Sequence, residues 1–257
     1  MITKEKKTIK SIPVICCYDD AVKYQPVLIM THGFSKSKES FEEKGTILKF
    51  AQAGFYVIAM DNRLHGERAQ GDEDNCFYNE KGELNLIKTR KAIKGTAEDI
   101  SKIIDTLKDN EQVDNERIAA LGISMGGFAL YSAVVEDKRI SAAVPIIASP
   151  YWDDIPGDLP VVSYKSTVEE LAVYSKTFQP AGFINSFHPT AMLMLVGESD
   201  SHYSVEKVKQ FYKSLTALYG EDCGKLMLKS YKWTGHICTN EMMDSAFRWL
   251  CDRMLGI

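Results

Sequence analysis

Leu121-Gly122-Ile123-Ser124-Met125-Gly126-Gly127 follows a short apolar run, Arg117-Ile118-Ala119-Ala120-Leu121, and precedes Phe128 to Glu136, which reads as a helix. A strand that enters a sharp turn and leaves it as a helix is the setting in which Gly-x-Ser-x-Gly exposes a serine. The serine at the tip sits in strained backbone, so residues two before and two after it must lack a side chain to clear the adjoining strand and helix. Gly122 and Gly126 meet that need, and the helix N-terminus beside Ser124 offers backbone N–H groups to a developing negative charge. With 17 Gly in 257 residues the bare pattern arises by chance about 0.1 times per chain, so its flanking strand and helix carry much of its weight. The competing reading is a serine that only caps the helix.

Working outward, the other elements alternate. Thr8 to Tyr18 is expected to be a strand or hairpin, and Pro26 to Thr31 a strand covered on both faces that ends in His32-Gly33-Phe34-Ser35. Phe41 to Ala53 reads as a helix stopped at Gly54, and Phe55 to Met60 as a buried strand delivering Asp61-Asn62-Arg63-Leu64-His65-Gly66-Glu67-Arg68. Gly71 to Glu83 reads as an irregular surface excursion, and Leu86 to Leu107 as an amphipathic helix. Strands follow at Ile140 to Ile147, Ala191 to Val196 and Lys225 to Trp233, with helices at Val205 to Tyr219 and Asn240 to Leu255. Such alternation predicts an α/β fold with a mostly parallel central sheet and helices on both faces.

One segment breaks the rhythm. Residues 148–189, between the strands ending near Ile147 and starting near Ala191, hold five prolines, one helix expected at Thr167 to Ser175, and many aromatics. An insertion there stands at the carboxyl end of the sheet, as a small lid or cap over Ser124 or as an ordinary packed loop. Tyr151, Trp152 and the later Tyr203 are candidates for the substrate pocket, where they would favour apolar acyl or aryl groups.

Composition narrows the function. No linker-like stretch divides the chain, so 1–257 is read as a single domain, and 45% hydrophobic residues suffice for its core. A formal net charge of −4 gives no broad basic field, which argues against nucleic acid and anionic membrane as partners. The charged start, Met1 to Lys7, is not followed by a signal-like apolar region, and no run of eighteen apolar residues occurs, so a cytoplasmic location is expected. Six cysteines without a CxxC pair read as reduced thiols, and neither a metal nor another cofactor is expected.

Three polar candidates therefore stand at strand ends in the order Ser124, Asp200, His236, with Glu198 a rival for the acid and four other histidines for the base. This order, with the serine on a Gly-x-Ser-x-Gly turn, resembles the α/β-hydrolases over essentially the whole chain. Val113-Asp114-Asn115-Glu116-Arg117 leading into the turn is similar to the prolyl oligopeptidase and dienelactone hydrolase branch, and His32-Gly33-Phe34 with the 61–68 loop to small bacterial esterases within it.

The resemblance implies an α/β-hydrolase fold and a metal-independent serine esterase acting on small or medium carboxylic esters. It implies Ser124 as nucleophile, His236 as base and Asp200 as the acid that orients it. It also implies the backbone N–H groups of Phe34 and Met125 as oxyanion hole, with Gly33, Gly122 and Gly126 as motif glycines. Ser201-His202-Tyr203 departs from the Val-Pro common after the acid in this family. A peptidase or thioesterase of the same fold is the alternative, and a non-catalytic binding protein a more distant one.

Overall fold

The computed structural model describes residues 1–69, 76–157, 160–163 and 165–257. It opens with a hairpin of β1 (Ile2–Ile9) and β2 (Ile12–Asp19), turned by Lys10 and Ser11 in left-handed backbone, φ 48° and 66°. β3 (Gln25–Thr31), β4 (Tyr56–Met60), β5 (Val113–Ile123), β6 (Ile140–Ile146), β7 (Ala191–Gly197) and β8 (Leu226–Tyr231) complete a sheet ordered β1-β2-β4-β3-β5-β6-β7-β8. From β4 to β8 the strands run parallel, whereas β2 joins β4 antiparallel. The mostly parallel, helix-covered sheet expected from the alternation is the one observed.

Parallel strands of this kind need cover on both faces, and two apolar clusters provide it. One face packs against α3 (Leu86–Ile104), α4 (Met125–Glu136) and α6 (Val205–Tyr219), the other against α1 (Glu39–Glu43), α2 (Thr46–Ala53) and α7 (Asn240–Leu255). The adjacent Cys16 and Cys17 illustrate the two-residue period: the first enters one cluster and the second the other. α4 is apolar and buried around most of its circumference, because it is held between α3 and the sheet.

Several boundaries differ from the sequence reading. The single helix expected over Phe41 to Ala53 breaks at Gly45, whose φ of 67° ends α1 before α2 begins. β5 starts at Val113 rather than near Arg117, since its first residues pair with Gln25 and Pro26 of β3. The 71–83 stretch is not simply a surface excursion: residues 71–75 lie outside the described residues, but Phe77 is fully buried against Phe34 and His65.

Within 148–189, α5 (Lys165–Phe178) lies on α3, where Glu170 pairs with Lys91 at 2.9 Å, and Trp152 stacks on Tyr174. Among the described residues no helix is long and apolar enough to cross a membrane.

Candidate active site

β5 ends one residue before Ser124, and the chain reverses there with φ 51° and ψ −116°, a conformation rarely adopted by an L-residue. The turn is held on both sides. Ser124 N–H donates to the Ile146 carbonyl at 2.9 Å, and Gly126 N–H to the His32 carbonyl at 3.0 Å. A Cβ on Gly122 would stand 2.3 Å from the Gly126 carbonyl oxygen, and one on Gly126 would stand 2.3 Å from that of Thr31. Gly33 differs: its Cβ would meet nothing closer than 3.7 Å, so no steric demand excludes a small side chain there.

The ends of β7 and β8 deliver the other two groups. Gly197 closes β7, and a Cβ there would lie 2.4 Å from the Thr234 carbonyl oxygen, so this glycine lets the two terminal loops touch. Ser199 N–H donates to that same carbonyl at 2.9 Å. Asp200 is thereby brought beside His236, whose Nδ1 lies 2.8 and 3.0 Å from the two carboxylate oxygens, while its Nε2 lies 2.6 Å from Ser124 Oγ. Taken as a chain of donors, the serine O–H points at Nε2 and the Nδ1 N–H at Asp200. The Asp200 side chain is fully buried and also accepts the His202 backbone N–H at 2.9 Å. Glu198 turns away and accepts from the Ser230 hydroxyl on the surface.

The remaining histidines have other surroundings. His188 pairs with Asp222 at 2.9 Å on the exterior. His202 stacks face to face on His236. His65 is buried at the edges of Phe34 and His32, with Nδ1 2.9 Å from the Arg63 carbonyl.

His32 fastens the loop after β3. Its Nδ1 lies 2.8 Å from the Gly33 carbonyl, its Nε2 accepts the Asn62 backbone N–H at 3.0 Å, and the Asn62 amide donates back to the His32 carbonyl at 2.7 Å. That pattern requires the neutral ring with the proton on Nδ1, and burial pushes its pKa down to about 4. Beside it, the buried Lys38 ammonium meets buried Asp61 at 2.8 Å, and Asp61 also accepts the backbone N–H groups of Lys38 and Glu67. Arg63 and Arg68 both bind Asp99 of α3, at 2.9 and 2.8 Å, and Gly95 leaves the slot through which Arg63 passes. Together these contacts tie the loop bearing Phe34 to the loop after β4. Met125 is the first residue of α4, where backbone N–H groups have no partner one turn earlier.

Ser124, His236, Phe34 and Met125 all border one cavity of about 490 Å³. Its walls are mainly apolar, from Leu84, Leu86, Ile93, Phe128, Ile147, Pro156 and Ile237, with Arg90 and His202 among the polar residues. Trp152, Tyr151 and Tyr203 do not line it, which corrects the expectation drawn from their aromatic character. Trp152 is wholly buried on Tyr174, Tyr151 packs by its edge on Phe211, and buried Tyr203 stands behind His236 and Phe128. All three serve the core because the insertion is folded down on α3 and α6, so that Pro156 is its contribution to the wall among the described residues. The actual lining comes above all from Leu84 just before α3, Leu86 and Arg90 on α3 and Phe128 on α4, none of which the sequence singles out. Among the described residues, no group of three or more His, Cys, Asp or Glu side chains is arranged to hold a metal ion.

Comparison with known proteins gives the family and the fold. Residues 40–250 match the prolyl oligopeptidase family. The chain is 22% identical over 249 residues to "Putative esterase YitV" of Bacillus subtilis, covering 88% of this chain and 89% of that protein. It is 34% identical over 126 residues to the uncharacterized YcjY of Escherichia coli, covering 49% of this chain and 35% of YcjY. Among solved structures, TT1662 of Thermus thermophilus superposes with a TM-score of 0.77 at 21% identity, covering 100% of this chain and 99% of that one. The Pyrococcus furiosus esterase Pf2001 does so with 0.68 at 19%, covering 100% and 93%.

Proposed function

The chain belongs to the prolyl oligopeptidase family and has the α/β-hydrolase fold, and from that premise we propose that it is a serine esterase cleaving small to medium carboxylic esters. The observation that carries the reading is the run of contacts from Ser124 Oγ through His236 to Asp200, at 2.6 and 2.8 Å. In this mechanism Ser124 attacks the ester carbonyl as His236 takes its proton, and Asp200 holds the ring and stabilises the imidazolium. The N–H groups of Phe34 and Met125 receive the oxyanion, each contributing a few kcal/mol of transition-state stabilisation. His236 then protonates the departing alcohol, and water releases the acyl group by the same steps in reverse.

An ester is favoured over a thioester by the similarity to a protein named as an esterase. The family's name keeps a peptidase as second reading. In the same proposal 1–257 form one domain, in which 148–189 act as a cap packed against α3.

The test is hydrolysis of 4-nitrophenyl acetate and butyrate by the purified protein, with labelling by a fluorophosphonate. Ser124→Ala should lose at least about 10⁴-fold in kcat and all labelling. Activity retained by this variant rejects the assignment, and faster cleavage of peptide anilides than of matched esters selects the second reading.

A further inference from the structure

Arg90 is the least compensated charge in the cavity that Ser124 borders. It lies on α3, is 5% exposed, and rests over the Phe128 ring with its guanidinium carbon 5.1 Å from the centroid. Of its five N–H groups, one on Nε and one on Nη2 donate at 3.2 Å, to the carbonyls of Trp152 and Asp154. Both partners are neutral, and no carboxylate lies within ion-pair distance among the described residues. The nearest candidate, Asp154, spends its carboxylate on Lys207 at 2.7 Å and on the Ser204 backbone N–H at 3.1 Å.

A buried guanidinium in this position normally has an anion to offset its desolvation. Here burial pushes the pKa down to about 10, with Asp154 and Asp153 opposing the fall only from a distance. The unbonded end of the group, Nη1 and the second N–H of Nη2, has the paired parallel donors that match a carboxylate. The rest of the lining points the same way. Lys36, Lys44 and Arg90 stand against a single carboxylate, Glu43, in a protein whose net charge is −4. The remaining walls are mainly apolar, and since Lys36 and Lys44 are exposed, Arg90 is the buried one of the three cations.

We propose that Arg90 is the anchor for a carboxylate carried by the ester substrate, making this an enzyme of anionic esters such as half-esters of short dicarboxylic acids. The inference rests on the serine-esterase reading for its chemistry, but the binding site itself does not. A planar cation already fixed by two carbonyls and a ring face loses little freedom on binding, so it selects for charge and for the distance between carboxylate and ester carbonyl.

Two measurements test it. The first is kinetic: kcat/KM for mono-4-nitrophenyl glutarate and succinate against their methyl-capped counterparts, with 4-acetoxybenzoate against its methyl ester to place the anion on the alcohol side. The expected result is at least a tenfold preference for the charged member of one pair, falling toward unity in Arg90→Met and partly restored in Arg90→Lys. No preference in any pair with the wild-type protein overturns the proposal. So does a preference that Arg90→Met leaves intact.

The second is calorimetric and needs no turnover: Ser124→Ala titrated with monoethyl glutarate and with diethyl glutarate. Binding of the monoanion at least tenfold tighter is expected, and equal binding of the two overturns the proposal. If the protein hydrolyses no ester and takes no fluorophosphonate label, the esterase reading fails while this titration still decides the carboxylate site. If Arg90→Met does not fold, the wild-type ratio and the Arg90→Lys protein decide it.

Discussion

The imidazole of His202 lies flat on that of His236, with ring centroids 3.9 Å apart and planes 10° from parallel. The same Asp200 carboxylate that accepts from His236 also accepts the backbone N–H of His202, so one acid sets both the ring and the platform beneath it. His202→Ala should lower kcat/KM for a neutral aryl ester about threefold to tenfold, the worth of one ring stack at roughly 0.5–1.5 kcal/mol. His202→Phe should recover most of the loss by keeping a flat face. Steady-state kinetics of both variants check this, and an unchanged rate in His202→Ala denies the stack a positioning role.

The three motif glycines should not behave alike. Gly122→Ala and Gly126→Ala each drive a Cβ to 2.3 Å from a backbone oxygen that cannot withdraw without opening the turn, so each should cost about 3 kcal/mol or more. Gly33→Ala meets only ordinary contacts at 3.7 Å and should leave stability within about 0.5 kcal/mol. Urea unfolding of the three proteins gives the comparison. A strongly destabilised Gly33→Ala would mean that this loop is constrained by something other than side-chain space.

Lys38 and Asp61 form a fully buried ion pair under the loop that carries Phe34. Breaking such a pair from one side leaves a charge without its partner, so Lys38→Met should lose about 3–5 kcal/mol. Chemical denaturation measures the loss, and replacement of both members, Lys38→Met with Asp61→Leu, should return part of it. If the single variant is as stable as the parent, Asp61 must be satisfied by its backbone donors alone.

Stability should fall on mild acidification before the carboxylates titrate. His32 has a pKa near 4 in the folded protein and an ordinary value near 6.5 when unfolded. Between those values the unfolded chain binds a proton that the native one does not, so this contribution is intact above about pH 6.5 and is lost as pH falls toward 4. Asp99 acts in a lower window: its arginine and lysine partners overcome its burial and hold it near 2, so its contribution disappears between about pH 4 and 2. Denaturant midpoints at pH 7.5, 6 and 4.5 test the first window, and His32→Gln should flatten it.

What could be read in the sequence followed from local rules. Pro26 to Thr31 and Ala191 to Val196 announced buried strands because every residue must be apolar when both faces are covered, and β3 and β7 are those strands. Strand ends make Ser124, Asp200 and His236 candidates, since parallel strands bring such ends to one side, but only the family resemblance separates Asp200 from Glu198 and His236 from the other histidines. The misreadings arose where burial depends on a distant partner. Trp152 and Tyr203 gave no local sign that α5 and α4 would enclose them. Nothing local in the sequence marks Lys38 or Arg90 as buried, since Asp61 and the carbonyls of Trp152 and Asp154 that they meet are distant in sequence. Gly197 did carry a signal, a glycine at a strand end, but only the neighbouring Thr234 carbonyl explains it.

The contact between Ser124 and His236 joins residues 112 positions apart, across β6, β7 and β8. The contact thus depends on long-range strand pairing, whereas helices form from local contacts and can do so earlier. If the proposed triad is the catalytic machinery, hydrolysis requires more than collapse: β6, β7 and β8 must all be docked beside β5. Under that proposal, recovery of turnover reports assembly of the whole sheet edge, while circular dichroism reports helix formation.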